Sequence, residues 1–392
     1  MVKRVFIVGA KRTPIGKFGG ALASKTAAML GGLAIEGALN QAQLPTEANV
    51  DQVFMGNVLQ AGSGQNPARQ ASQLAGLGDG VPAVTMNDVC GSGLTSINLA
   101  AAMIQSGQAD IMVAGGMESM SNAPYVLDKA RFGYRLGDGM MRDTILSDAL
   151  TDAEGDFHMG ITAENVAQKY DISREAMDAF SLASHQKAAA AIERGDFDTE
   201  IVPVPVTVKR ETTMITQDEG PRPDSSLEKL ARLKPAFQED GRVTAGNASG
   251  INDGAAAIVL VSEDALEQYG LTALAEWQGA SLVGLDPTLM GVGPYYAVDK
   301  LLGNADLTVD DINVFELNEA FAAQALASNQ LLTVDEARVN PRGGAIALGH
   351  PVGASGARVL VSLIHELQPE ERGVAALCIG GGMGVSALIT RR

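Results

Sequence analysis

Both cysteines of this 392-residue chain stand against glycine, one in NDVCGSGLTS (residues 87–96) and one in LCIGGGMGV (377–385). A thiol buried for packing acts as a small hydrophobe and needs no glycine beside it. Glycine lets backbone approach closely and leaves amide N–H groups free to point at a ligand. Cys90 precedes Gly-Ser-Gly where a helix is expected to begin. The free N–H groups and partial positive charge of a helix N-terminus lower a thiol pKa and can hold an oxyanion. Cys378 ends the apolar run VAALC ahead of a glycine turn, where ligands sit in parallel α/β sheets. From local sequence, packing and chemistry fit Cys90 equally, and packing fits Cys378 better.

His350, in GGAIALGHPVGASGA, is wedged between glycine and proline ahead of a second helix. That is a poor place for a packing histidine and a good one for a general base. His185 and His365 fall inside helical patterns and read as partner-satisfied or surface residues, with His158 in DFHMG between the two cases. Asn318 and Glu319, in FELNEAFAAQA, follow a strand and open a helix. The asparagine can cap that helix, donate to a developing oxyanion, or do both. GxxxxGK[ST], HExxH and paired CxxC are absent, and the two cysteines and four histidines do not cluster, so no metal is expected. No GxGxxG follows the first strand, so a nicotinamide site is unsupported.

These residues need a scaffold, and the bulk numbers bound it. A hydrophobic content of 46% with 19% charge is that of a soluble globular protein, and 392 residues call for two or three domains. The net charge of −17 argues against nucleic acid or anionic membranes as partners. Apolar runs fall far short of the roughly 20 residues that span a bilayer. The N-terminal run reads as a first buried strand rather than a signal segment. Two cysteines without an export signal suggest a reducing cytoplasm and no disulfide framework.

The chain also repeats itself. Residues 90–121 and 350–389 each open with a reactive-type residue and a Gly/Ser turn. Each then continues as an apolar helix and a buried strand ending in Gly-Gly-Met. VDQVFMGNVLQ (50–60) resembles DINVFELNEAF (311–321) in its strand-then-Asn pattern. Two related α/β halves follow, each with a mostly parallel buried sheet, and a pseudo-twofold would bring the two glycine turns face to face. The expected division is 1–119 with 249–268 as one half, 269–392 as the other, and 120–248 as an inserted loop domain. Within the insert, Ser173 is the expected cap of a helix with Glu175 in its first turn.

Together, NDVCGSG, VAGGMESMS, HMGITAENVA, KLARLKPAF, TAGNASGINDGAAA, MGVGP, NEAFAAQA, GGAIALGHPVGASGAR and LCIGGGMGV resemble the thiolases over essentially the whole length. The closest branch is that of the biosynthetic acetyl-CoA acetyltransferases. The resemblance implies a five-layer αβαβα sandwich of two similar halves, with the loop domain over coenzyme A. It implies Cys90 as acyl-carrying nucleophile, His350 as its base, and Cys378 as the group that moves the α-proton. Asn318, holding a water, forms one oxyanion site with His350; the backbone N–H groups of Cys90 and Gly380 form the other. His158, Ser249, Ala320 and Phe321 fall on positions lining the coenzyme A channel, and Arg222 on one near its adenine end. Met159 and Met290 match methionines that wall a short acyl pocket. Acetyl-CoA, acetoacetyl-CoA and coenzyme A are the implied partners, with no further cofactor, in a homotetramer.

Two departures, NPRGG where NVNGG is commoner and a shorter segment between His350 and Cys378, touch no catalytic position. Residues 209–234 carry six basic and five acidic side chains, near neutral for a stretch expected to meet an anionic ligand. The rival readings are a degradative 3-ketoacyl-CoA thiolase, a decarboxylating ketosynthase and a non-catalytic acyl-CoA binding protein. The ketosynthase would pair its cysteine with two histidines, or with a histidine and an asparagine, and would not need Cys378.

Overall fold

The computed structural model describes residues 3–392. Its large sheet is built from Val5–Arg12 (β1), Gln52–Gly56 (β2), Ala83–Met86 (β3), Ile111–Ser119 (β4), Asn252–Ser262 (β5), Ala275–Gly284 (β6), Val314–Leu317 (β7), Arg372–Ile379 (β8) and Met383–Arg391 (β9). Their spatial order is β7-β8-β9-β6-β1-β5-β4-β2-β3, with Gly16–Lys17 pairing onto one end of β5. Read outward from the middle, β1-β5-β4-β2 matches β6-β9-β8-β7. In both halves the first two pairings are antiparallel and the third is parallel. β3 extends the first half alone. The halves join where β1 pairs antiparallel with β6, Val5 opposite Trp277 and Ile7 opposite Ala275. Antiparallel pairing of two equivalent strands is what a twofold axis between them demands, so the internal repeat is a real symmetry of the fold.

Two sequence expectations are corrected here. The halves are mixed sheets, not mostly parallel ones. β8 and β9 are joined only by Gly380–Gly382, and strands joined by so short a turn must run antiparallel. Gly-Gly-Met also does not end both strands: Gly115, Gly116 and Met117 lie inside β4, whereas Gly381 and Gly382 form the turn after β8.

The helices used below are Ala27–Ala42 (α1), Ser92–Gln105 (α2), Met159–Lys169 (α3), Arg174–Arg194 (α4), Gly293–Asn304 (α5), Ala322–Leu332 (α6) and Val352–Glu366 (α7). α1 packs outside β1, β5 and β4, and α5 packs outside β6, β9 and β8. α2 and α7 lie side by side between the two half-sheets. Strands covered on both faces must be apolar on both. β5 sends Ala256, Ile258 and Leu260 to the central core and Ala257, Val259 and Val261 to the layer under α1. α7 is buried from Val352 to Ile364, the signature of a helix with no solvent face.

The Gly/Ser turns meet as the symmetry requires. A Cβ on Gly93 would stand 2.7 Å from the Ala357 nitrogen, and one on Gly356 would stand 2.4 Å from the Leu94 nitrogen. Each glycine is what lets the other helix approach. In the segment 120–248, Tyr125–Val126 pairs with Arg142–Asp143 and Val204–Val208 pairs with Glu211–Ile215, and neither pair joins the large sheet. Ser173 caps α4 as expected, its hydroxyl accepting from the Ala176 N–H.

Candidate active site

The turn that carries Cys90 is held against its own preference. Val89 sits at φ +55°, a left-handed conformation that a β-branched residue resists. Side chains over-determine the turn: Asn87 Oδ1 accepts the Val89 N–H, Ser92 Oγ accepts the Asp88 N–H, and the Ser92 hydroxyl donates to the Val89 carbonyl. A short 3₁₀ turn, Val89–Gly91, leads directly into α2. Gly91 lies so close to Ile379 that a Cβ there would stand 2.4 Å from its Cδ1. The end of β8, with Cys378 one residue earlier, is thereby pressed onto the cysteine turn.

His350 is placed by two contacts, each anchored in turn. Its backbone N–H donates to Asn252 Oδ1 at 2.9 Å, and that asparagine donates in turn to the Gly16 carbonyl. Its Nδ1 lies 2.5 Å from Ser355 Oγ, whose proton goes to the Pro351 carbonyl at 2.9 Å. Ser355 therefore has only a lone pair to offer, so Nδ1 carries the hydrogen and Nε2 is left as a bare acceptor. Nε2 is buried and has no protein partner. Burial first, then the positive charge of Arg358, pushes the imidazole down to about 3, so it rests neutral.

Cys90, His350 and Cys378 line one cavity of about 350 Å³. His158, Met159, Ser249, Met290, Ala320 and Phe321 line it too. His158 caps α3, its Nδ1 accepting the Gly160 N–H at 2.9 Å, which leaves Nε2–H as the free donor. The ring stacks on Phe237 at 4.8 Å. The Ser249 N–H donates to the Ala320 carbonyl, and Ala248 bridges to Phe321, so this loop and the NEAF loop form one wall. Arg222 stands apart, in an adjoining cleft of about 260 Å³ that also holds Lys17 and Ser225. Gly380 lies behind Met159, in a second cleft that reaches Val89. Asn318 is fully buried beneath the wall, its Nδ2 without a protein partner.

The helix terminus does not make the Cys90 thiol acidic. Burial pushes Cys90 up to about 12, against the N–H groups of Gly380 and of Cys90 itself, which favour the thiolate. Burial raises Cys378 further, and the neighbouring Cys90 adds to it. The resting site therefore holds two neutral thiols beside a neutral imidazole. The same observation places the Gly380 and Cys90 N–H groups at the Cys90 sulfur, where an oxyanion would form.

The acids of 209–234 are also less free than their count suggests. Asp218 turns inward to Arg12, and Glu219 accepts the N–H groups of Lys17 and Ala21. Asp224 and Glu228 pair with Lys229 and Arg232. The cleft near Arg222 is lined by two cationic side chains, Arg222 and Lys17. Ser355, Asn252 and Arg358 were not singled out from sequence. Of these only Ser355 carried a local signal, a hydroxyl one turn into the helix that His350 opens. Among the described residues no cluster of three or more His, Cys, Asp or Glu is arranged to hold a metal, and no helix is long and apolar enough to cross a membrane.

Known proteins resemble this chain in both sequence and shape. The chain is 54% identical over 393 residues to the acetyl-CoA acetyltransferase of Escherichia coli (strain K12), covering all of both chains. It is 51% identical to a probable acetyl-CoA acyltransferase of Staphylococcus aureus (strain COL), covering 99% of each. The crystal structure of the Bacillus anthracis acetyl-CoA acetyltransferase superposes with a TM-score of 0.97 at 44% identity, covering 100% of this chain and 99% of that one. The Syntrophomonas wolfei acetyl-CoA acetyltransferase also gives 0.97, at 41% identity and with full coverage of both. Residues 5–264 match the thiolase N-terminal domain and residues 271–391 the thiolase C-terminal domain, and with the paired cysteine and histidine turns in place the chain belongs to the thiolase family.

Proposed function

We propose that this protein is an acetyl-CoA C-acetyltransferase, joining two acetyl-CoA into acetoacetyl-CoA and coenzyme A, reversibly, through an S-acetyl-Cys90 intermediate. The observation that carries the reading is the single cavity in which two thiols meet a neutral histidine with a bare Nε2. In the first half-reaction His350 Nε2 takes the Cys90 proton as the sulfur attacks the thioester carbon. The oxyanion forms against the Cys90 and Gly380 N–H groups, one such donor being worth about 3–4 kcal/mol. Coenzyme A leaves with the proton from His350. Attack and proton transfer are concerted, because a free thiolate beside an imidazolium is unfavourable in this buried site.

In the second half-reaction Cys378 passes its own proton to His350 as it takes the α-proton of the new acetyl-CoA, so that no free thiolate accumulates there either. The enolate, held through Asn318 and His350, attacks the Cys90 thioester. The C–S bond breaks, and the Cys90 sulfur recovers a proton from His350. Run backwards, the resting thiol form is already set for cleavage of acetoacetyl-CoA.

Two further readings belong with this one. Two free thiols that the chemistry needs reduced suit a cytoplasmic workplace. A homotetramer is supported by the exposed apolar side chains of Phe132, Leu136, Met140 and Met141 and by the open edge strand β3.

The test separates the two thiols. Each variant is mixed with radiolabelled acetyl-CoA, quenched in acid, and the label on protein counted. Cys378→Ala is expected to become acetylated yet make almost no acetoacetyl-CoA, and Cys90→Ala to do neither. Condensation by Cys378→Ala at near the unmodified rate would make Cys378 a packing residue and overturn the scheme.

A further inference from the structure

α7 serves the site twice from one face. Ser355 holds His350, and Arg358, three residues on and therefore on the same side of the helix, reaches under the NEAF loop. Arg358 is buried, at 2% exposure. Its Nη2 lies 3.5 Å from Asn318 Oδ1 and its Nη1 lies 3.4 Å from Glu316 Oε2. The Asn318 backbone is fixed independently, its N–H donating to the Ala376 carbonyl at 2.9 Å.

A carboxamide can present either its oxygen or its NH₂ in a given direction, and only its partners decide which. A guanidinium can only donate. With Arg358 on one side, Asn318 must keep its oxygen there and turn its NH₂ the other way. That NH₂ group, Nδ2, is buried and meets no protein acceptor. The Glu316 contact is long and single-point rather than bidentate, so it leaves the guanidinium charge incompletely compensated. The other charged groups around Arg358 are Arg12, Glu200 and Glu319.

We infer that Arg358 is the positioning residue of the Asn318 oxyanion site: it fixes the carboxamide with its donor toward the substrate and supports the negative charge that develops beyond it. The inference rests on the thiolase reading above and assigns a role within it. Arg358 touches no substrate, and its hydrogen bond reaches the site through Asn318, so the loss of that bond belongs to the enolate step. Its charge also bears on His350, and removing that charge would make the base stronger and leave acetylation of Cys90 intact.

The experiment is a double-mutant cycle on the full-length protein with Arg358→Met and Asn318→Ala, read as kcat and KM for condensation and as acid-stable label after the first half-reaction. Arg358→Met is expected to lower kcat about 10²- to 10³-fold, the scale of one lost oxyanion donor. KM should stay within about threefold and Cys90 should still acetylate. Arg358→Lys, which keeps the charge and a donor, should recover at least about tenfold of that loss. In the Asn318→Ala background Arg358→Met should cost less than about threefold, because the residue it acts through is gone. Additive losses, or an effect confined to KM, would overturn the inference.

Asn318→Asp gives an answer that does not depend on Arg358→Met folding. It sets a carboxylate against the guanidinium, so its melting temperature should equal or exceed that of the unmodified protein while condensation falls more than about 10²-fold. A destabilised Asn318→Asp would show that Arg358 does not face this side chain. If the unmodified protein takes no label from acetyl-CoA, the functional reading fails on its own, whatever the melting temperatures say.

Discussion

His350 Nδ1 lies 2.5 Å from the hydroxyl oxygen of Ser355, and that hydroxyl spends its proton on the Pro351 carbonyl. The pair sets the tautomer of the base from within the helix that the histidine's own loop opens. Ser355→Ala leaves Nδ1 without its acceptor and frees the ring to turn or to move its hydrogen to Nε2. Removing a general base outright typically costs about 10²- to 10⁴-fold, and misorienting it should cost part of that, about 10- to 10²-fold in kcat. KM should change little, since Ser355 does not line the cavity. Steady-state cleavage of acetoacetyl-CoA reads both, and an unchanged kcat would mean that packing around the ring, with the backbone tied to Asn252, is enough to hold the imidazole.

Alkylation tests the state of the thiols. Cys90 is half-buried beside the cavity, and burial pushes it up to about 12, while Cys378 is fully buried and raised further. Limiting iodoacetamide should therefore label Cys90 ahead of Cys378. The reactive species is the thiolate, whose population rises about tenfold per pH unit below the pKa. The Cys90 labelling rate of the free enzyme should thus keep rising through pH 7–10 without a plateau. A plateau near neutral pH, read by peptide mass spectrometry, would show that the two N–H groups outweigh burial after all.

Acyl length should be set by Met159. Its side chain lines the 350 Å³ cavity on one face and, on the other, a second cleft of about 720 Å³ shared with Val89 and Gly380. Met fills the wall but is flexible and easily truncated. The unmodified protein should cleave acetoacetyl-CoA far better than 3-ketohexanoyl-CoA. Met159→Ala should join the two spaces and narrow that kcat/KM ratio by about tenfold or more. Comparable values for the unmodified protein across four to eight carbons would favour the degradative 3-ketoacyl-CoA thiolase reading.

What the sequence showed and hid follows from the range of each interaction. The repeat was legible because glycine turns and strand-helix alternation are local, and each half carries its own copy. The two cysteines, His350 and the NEAF asparagine stood out because their neighbours were unusual for packing. Asn252 did not, because its bond to His350 spans 98 positions. Arg358 looked like any basic residue in a helix until α7 proved to be buried. The thiol pKa was misjudged for the same reason: a helix terminus can be read from a motif, but desolvation depends on what the rest of the chain places overhead. Strand direction was misread because β5 returns from the long insert to run between β1 and β4, which no local pattern announces.

Arg12 ties that insert to the sheet, and its loss should be felt as stability. The buried guanidinium contacts Glu200 at 2.5 Å and Asp218 at 2.7 Å, and Arg342 reaches the same Glu200 at 3.4 Å. Burial alone would raise Glu200, but the two arginines outweigh it and hold the carboxyl at about 2, below its ordinary 4.5. A carboxyl depressed by folding stabilises the folded state above its unfolded pKa, and that stability is lost as pH falls toward the folded value. The window for Glu200 is therefore about pH 4.5 down to 2, and the melting temperature should fall across its upper part. Arg12→Met leaves Glu200 and Asp218 buried without their main partner, a change that typically costs about 3–5 kcal/mol. Much of that penalty is an uncompensated negative charge, which protonation relieves. The variant should melt well below the unmodified protein at pH 7, and the gap should shrink as pH drops from 7 to 4. Calorimetry at several pH values checks this, and a gap that stays constant or widens would mean that packing on Phe197, which both arginines overlie at 5.2 Å, matters more than charge.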